Sequence, residues 1–353
     1  MPNKDVLMPS LQETLYSGMI GEGELVYQFE DKFCQFLGIE NGIAMSSGTA
    51  ALHCSLYLSG VKPGDEVITT SMTAEPTNLS ILHIGAKPVF ADVDEFSGNI
   101  SPESIESKIN EKTKAILVVH YAGVPVRLNE IMTLAKKYNL KVIEDCAHAL
   151  GAQYDGMSVG AIGDFSIFSF QAIKHMTTID GGFLVMKDPE HISRAKKFRW
   201  FGMEKGVDRT IMDIDHIGYK YNMNNVTATI GIAQLSGISK KIDEFKKNGQ
   251  FFDRNISRIT GLDIVRFEPI SEPSYWLYTI LSDDSENVFR KMESIGVQAS
   301  KLHRPNHYHS IFKHNNLSLP NLDMYYKRMI HIPCGWWLAE EKREEIVKTL
   351  KQG

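Results

Sequence analysis

The stretch Lys141-Val142-Ile143-Glu144-Asp145-Cys146-Ala147-His148-Ala149-Leu150-Gly151-Ala152 decides the fold. The run Lys136-Lys137-Tyr138-Asn139 ahead of it closes a helical pattern, so Lys141-Val142-Ile143 reads as a short buried strand. Its C-terminal end delivers Glu144 and Asp145, and open α/β sheets bind ligands at the carboxyl ends of parallel strands. A buried Asp is costly unless a cation pairs with it. The plainer reading is that Asp145 caps the helix that follows. Outward from this stretch, the apolar runs Glu66–Thr69, Pro88–Ala91 and Ala115–Val119 alternate with helical patterns such as Leu128–Ala135. That alternation predicts an α/β chain with a parallel, doubly wound sheet.

Twenty-odd residues on, Phe168-Ser169-Phe170-Gln171-Ala172-Ile173-Lys174-His175-Met176-Thr177-Thr178-Ile179-Asp180-Gly181-Gly182 sets one lysine between a hydroxyl-bearing segment and a glycine pair. An amine attacks an aldehyde only when deprotonated, and a partly desolvated pocket lowers a lysine pKa enough for that. Lys174 is therefore the candidate partner of pyridoxal 5'-phosphate. A protonated pyridine nitrogen is the cation that Asp145 needs, and His148 is placed to stack on the same ring or to hydrogen-bond its phenolic oxygen. A third segment, Ala44-Met45-Ser46-Ser47-Gly48-Thr49-Ala50-Ala51, follows an apolar run and opens a helix. Small residues let backbone amides approach a phosphate, and a helix start favours an anion. The same Ser-Ser-Gly-Thr pattern reads equally well as an N-cap and turn. Ser169 offers one more hydroxyl for the phosphate.

A fourth segment, Gly218-Tyr219-Lys220-Tyr221-Asn222-Met223-Asn224-Asn225, precedes a helix rich in small apolar residues. In this order the four segments resemble the DegT/DnrJ/EryC1/StrS sugar aminotransferases, which are pyridoxal phosphate enzymes of the aspartate aminotransferase fold type I. The likeness runs from about Gly18 to the C-terminus and includes Gly64–Ile68, Gly85–Asp94, His120–Pro125 and Ile332-Pro333. It implies a large domain with a mostly parallel sheet flanked by helices, plus a smaller α+β C-terminal domain. Lys174 and Asp145 become the catalytic pair. Ser47, Gly48, Thr49, Ser169 and His148 join them as cofactor contacts, with Lys220 and Asn222 reaching the partner subunit's phosphate in a homodimer with shared active sites. Three departures stand out. Ile179 occupies a position where glycine is common, Ala74 follows Thr73 where Phe is common, and Asn222 stands where Arg is frequent, with Lys220 in place of the usual Asn.

The reaction implied is amino transfer from L-glutamate to a nucleotide-linked keto-deoxy sugar, a 4-keto-6-deoxy sugar first and a 3-keto sugar second. Pyridoxamine 5'-phosphate carries the amino group between the two half-reactions, and surface-polysaccharide or glycoconjugate sugar biosynthesis is the setting. The substrate-side candidates are Thr73, Glu75, Arg199, His303, Arg304, His307 and Tyr308. Arginine pairs a phosphate, and aromatic rings cover a base or sugar. Three alternatives compete: transamination of a small phosphorylated ketone, a sugar 3-dehydratase, and a non-catalytic cofactor-binding sensor. The dehydratases resembling this family carry His at the lysine position, and here Lys174 is in place.

At 353 residues, 43% hydrophobic and 23% charged, the chain is long enough for about two domains. The expected division is a segment 1–20 packing near the small domain, a large domain over 21–245 and a small domain over 246–353. A formal net charge of −5 offers no basic field for nucleic acid or an anionic membrane. The cysteines at 34, 54, 146 and 334 show no C-x-x-C spacing, which points to reduced buried thiols and away from zinc. The histidines between 303 and 309 lack a supporting carboxylate, so no metal is expected. With no leader pattern and no apolar run near the ~20 residues of a membrane span, the expected location is the cytoplasm.

Overall fold

The computed structural model describes residues 1–313 and 317–352. At its centre lies a seven-stranded sheet in the order Gly42–Met45, Gly182–Met186, Phe165–Ser169, Lys141–Asp145, Thr113–Val119, Glu66–Thr70, Lys87–Ala91. The strand Gly182–Met186 runs antiparallel to both neighbours, and the other six are mutually parallel. The departure from a uniformly parallel sheet has a local cause. After Phe165–Ser169 the chain turns back through the loop carrying Lys174, so no crossover helix reverses its direction.

Side chains alternate across each strand, and that alternation sorts the core into two layers. Ile116, Val118 and Val142 face one side, where Phe29, Phe33 and Phe183 join them under the helices Glu24–Leu37, Leu128–Tyr138 and Asn225–Leu235. Leu117, Val119 and Ile143 face the other, under Gly48–Leu58 and His191–Phe198. The C-terminal lobe has its own antiparallel sheet of Leu262–Ile264, Tyr278–Ser282 and Met329–Ile332, and the helices Ser285–Ser294 and Glu340–Lys351 pack against it.

The expected place of the N-terminal segment is corrected, and two elements break earlier or start later than their composition suggests. The helix beginning near Asn224 breaks at Ser236-Gly237 before a 19-residue helix, Ile238–Ile256. That second helix gives Ile238 and Ile242 to the large core and Phe252 and Ile256 to the small lobe. The N-terminal helix Lys4–Tyr16 lies against Asn225–Leu235 of the large body, where Thr14 Oγ1 meets Thr229 Oγ1 at 2.9 Å, and not against the small lobe. The run Ser274–Ile280 has strand composition, yet the strand begins only at Tyr278, because Tyr275 takes a left-handed backbone with φ of 51°. No helix among the described residues is long and apolar enough to cross a membrane.

Candidate active site

Glu144 and Asp145 end the same strand, so their side chains leave on opposite faces. Glu144 is fully buried and accepts hydrogen bonds from His120 Nε2 at 3.1 Å and from the amides of Gly160, Ile162 and Gly163 at 3.1, 3.1 and 2.6 Å. Burial alone would raise its pKa, but His120 and those amides outweigh it and hold the carboxyl below its ordinary value. His120, Glu144 and Cys146 place ligand atoms within 4.8 Å of one another, the spacing of a metal triad. Their capacity is spent. His120 Nδ1 accepts the Val126 amide at 3.2 Å, so Nε2 carries the hydrogen given to Glu144. This cluster pins the loop behind the sheet.

Asp145 turns the other way and is also buried. Its Oδ1 accepts the Ala147 amide at 3.0 Å and its Oδ2 accepts the Thr77 hydroxyl at 2.8 Å. The first bond closes the turn after the strand, and no helix is capped. Burial raises the Asp145 pKa despite these bonds and the positive charge of Lys174. Among the described residues the carboxylate has no ion-pair partner.

The turn Gln171–Ile173 carries Lys174 back over this strand end. Burial lowers the Lys174 pKa to about 8, with Asp145 opposing the shift. About a tenth of such amines are then uncharged at pH 7 and about half at pH 8, the form that attacks a carbonyl. His148 lies flat on the indole of Trp276, with ring centroids 3.8 Å apart and planes 19° from parallel. Its Nδ1 is buried without a hydrogen-bond partner. Burial first, then Lys174 and the neighbouring histidines, drive its pKa well down, so the ring is neutral.

At the start of the helix Gly48–Leu58 the turn is built for close approach. A Cβ on Gly48 would stand 3.0 Å from Ser169 Cβ, and one on Gly182 would stand 2.3 Å from the Ser47 carbonyl. Ser47 caps the helix, its hydroxyl accepting the Ala50 amide at 3.0 Å, so the plainer reading of this motif holds for that side chain. Gly48, Thr49 and Ser169 border the same turn. Residues 219–222 run beside it, with the Ser46 amide bonded to the Tyr221 carbonyl at 2.6 Å and Asn222 bridged to Met45. Lys220 is exposed; its Nζ donates to Asn222 Oδ1 at 2.8 Å and rests 4.2 Å from the centroid of the Trp200 ring.

The substrate-side candidates separate into two groups. Thr73 is buried and hydrogen-bonded to Thr77 at 3.0 Å, one step from Asp145. Glu75 opens the next helix, 3.4 Å from His309 Nε2, and with Lys174 it acts on the charge of His303. The His303 ring lies parallel to His148 within 4° at 5.6 Å, its Nε2 buried and unpartnered. Burial, then Lys174, bring its pKa to about 4. His307 instead binds Ser71 Oγ at 2.7 Å, Tyr308 donates to Asp323 at 2.8 Å, and Arg304 is exposed over the Tyr308 ring at 5.6 Å. Arg199 is a correction. It is buried at 2% exposure between Glu30 at 2.5 Å, Glu22 at 2.8 Å and the Ala44 carbonyl at 2.8 Å, which leaves its guanidinium nothing for a substrate phosphate.

Three residues escaped the sequence reading. Thr77 was findable, since it lies in the first turn of the helix Glu75–His83, four residues after Thr73. Tyr121 and Trp276 were not, because both come to the site through contacts between distant segments. Tyr121 donates to the Leu302 carbonyl at 2.6 Å, holding the loop that presents His303. Trp276 arrives because Ser274 N bonds Gly123 O at 2.9 Å, and at Gly123, with φ of 91°, any Cβ would collide with Ser274, His148 and Trp276.

Together these residues fit pyridoxal phosphate: a buried acid without its cation, a lysine of lowered basicity, an orphaned ring nitrogen and a glycine turn against a serine. The comparisons with known proteins agree. The model of the DegT/DnrJ/EryC1/StrS aminotransferase family matches residues 3–351. The spore coat polysaccharide biosynthesis protein SpsC of Bacillus subtilis is 30% identical, covering 96% of this chain and 92% of that protein. A UDP-4-amino-4,6-dideoxy-N-acetyl-beta-L-altrosamine transaminase of Campylobacter jejuni is 31% identical, over 94% and 89%. The crystal structure of the sugar aminotransferase CalS13 of Micromonospora echinospora superposes with a TM-score of 0.95 at 33% identity, over 100% of this chain and 98% of that one. The chain is a member of the DegT/DnrJ/EryC1/StrS aminotransferase family, with the α/β fold of its sugar aminotransferases.

Proposed function

We propose that this aminotransferase uses pyridoxal 5'-phosphate, held by Lys174, Asp145, His148, Gly48, Thr49 and Ser169, to move an amino group from L-glutamate to a nucleotide-linked 4-keto-6-deoxy sugar. The observation that carries the reading is the buried Asp145 facing Lys174, whose amine has a pKa near 8. When bound, pyridoxal phosphate supplies the electron sink and carries the amino group, as pyridoxamine phosphate, between donor and acceptor. Asp145 holds the proton on the pyridine nitrogen. Lys174 Nζ takes a proton from the donor's α-carbon and delivers one to the acceptor. His148 offers Nδ1 to the ring's oxygen side. Thr73, Glu75 and His303 line the acceptor side.

The acceptor class is supported by the altrosamine transaminase relative, whose named product is a UDP-linked 4-amino-4,6-dideoxy sugar. Lys174 weighs against the 3-dehydratase, and a formal net charge of −5 weighs against a sensor that acts on nucleic acid. We read the enzyme as a cytoplasmic homodimer, supported by four buried free thiols and by the exposed segment around Lys220. We also divide it into a large domain over 21–245 and a small one over 246–353, of which 314–316 and 353 lie outside the described residues. The support is the helix Ile238–Ile256, whose two halves join different cores.

The test is spectroscopic. The purified protein is expected to carry a yellow band that L-glutamate discharges and that a nucleotide-linked 4-keto-6-deoxy sugar restores. A Lys174→Ala variant that transferred amino groups at the native rate would sink the assignment, and restoration only by a small phosphorylated ketone would replace the acceptor.

A further inference from the structure

The indole of Trp276 is 5% exposed, and its Nε1 donates to the Ile173 carbonyl at 2.9 Å, which fastens it to the residue before Lys174. The stacked His148 ring fixes its plane. Lys174 Nζ lies 4.3 Å from the centroid of this indole. Among the described residues the amine makes no hydrogen bond or ion pair. The one carboxylate acting on it is Asp145, while His148, His175 and His303 around it are neutral. A face of tryptophan attracts a cation more strongly than any other aromatic side chain. In the proposed reaction the lysine amine is released from the cofactor in each half-reaction and must wait, protonated for part of the time, within reach of the reacting carbon.

We propose that Trp276 is a positioning residue for Lys174: its indole face is the place where the ε-ammonium rests whenever that nitrogen is not covalently engaged. The proposal deepens the cofactor reading above and rests on it. Because the ring is tied to Ile173 and clipped to Gly123, the resting place lies at a fixed distance from the strand end bearing Asp145. It favours the protonated amine against the desolvation that favours the neutral one, and so keeps the nitrogen able both to take and to return a proton.

The test varies the electrostatics of the ring at nearly constant volume. The full-length chain is produced with native, monofluorinated, difluorinated and trifluorinated tryptophan, and freed of cofactor with hydroxylamine and dialysis. It is then labelled with pyridoxal phosphate and cyanoborohydride across a pH series, and the labelled lysine is identified by peptide mapping. The labelling midpoint of Lys174 is expected to fall stepwise with fluorine, by roughly 0.4 to 1.5 pH units in all. In a Trp276→Phe chain, fluorinating the remaining tryptophans should leave the midpoint where it is. Label on Lys174 with a midpoint indifferent to fluorine overturns the role of Trp276 and leaves the cofactor reading standing. Label on some other lysine overturns the cofactor reading itself.

Discussion

Thr77 Oγ1 donates its only hydrogen to Asp145 Oδ2 at 2.8 Å, so the 3.0 Å contact between Thr73 and Thr77 must have Thr73 as donor. Two hydroxyls in series thus orient the acid that the proposed function sets against the pyridine nitrogen. A hydrogen bond to a charged group is worth about 1.5–3 kcal/mol. Thr77→Val should therefore weaken pyridoxal phosphate binding roughly tenfold to a hundredfold, with Thr77→Ser close to native. Equilibrium dialysis against the cofactor measures this, and native affinity in Thr77→Val would remove Thr77 from the site.

Lys174 makes the cofactor-free chain's stability depend on pH. Its amine titrates near 8 in the folded protein and near 10.5 unfolded, so between those values the unfolded state binds more protons. Stability then rises with pH across that window and the contribution is unfavourable below it. Lys174→Met should abolish this rise and stabilise the cofactor-free chain near pH 7 by on the order of 2–3 kcal/mol. Denaturant midpoints of the two chains, compared from pH 7 to 10.5, give the difference directly; parallel curves would refute it.

Arg199 sits between two carboxylates, and removing it strands Glu30 while leaving Glu22 to Lys205 alone. Breaking a buried pair in this way costs about 3–5 kcal/mol. Arg199→Met is expected to lose stability on that scale in chemical denaturation. A stable Arg199→Met with a selectively raised acceptor KM would instead return this residue to the substrate site.

Ile179 adopts φ of 77°, a left-handed conformation that strains a β-branched residue, while its side chain is 58% exposed. Glycine removes the strain at some entropic cost in the unfolded chain. Ile179→Gly should raise stability by about 1 kcal/mol by thermal unfolding; a loss of similar size would mean that the isoleucine side chain makes a stabilising contact outside the monomer.

The sheet was legible because strands such as Thr113–Val119 are buried on both faces over most of their length and show as apolar runs, here Ala115–Val119. Asp145, Lys174 and the Gly48 turn were legible because each is placed by its own neighbours in sequence. What lay between 274 and 277 was not. The run Ser274–Ile280 has strand composition, yet Tyr275 leaves the β region to bring Trp276 against His148, a preference set by Gly123 some 150 residues earlier. Arg199 misled for a related reason, since a basic residue among aromatics looks the same whether it meets a ligand or two buried glutamates.

The helix Ile238–Ile256 belongs to both hydrophobic cores at once. Any opening of the cleft therefore has to bend around this continuous beam and cannot swing on a slack tether. Damage at either end of it travels to the other, which ties the chemical competence of the aminotransferase to the health of a lobe that holds neither Lys174 nor Asp145.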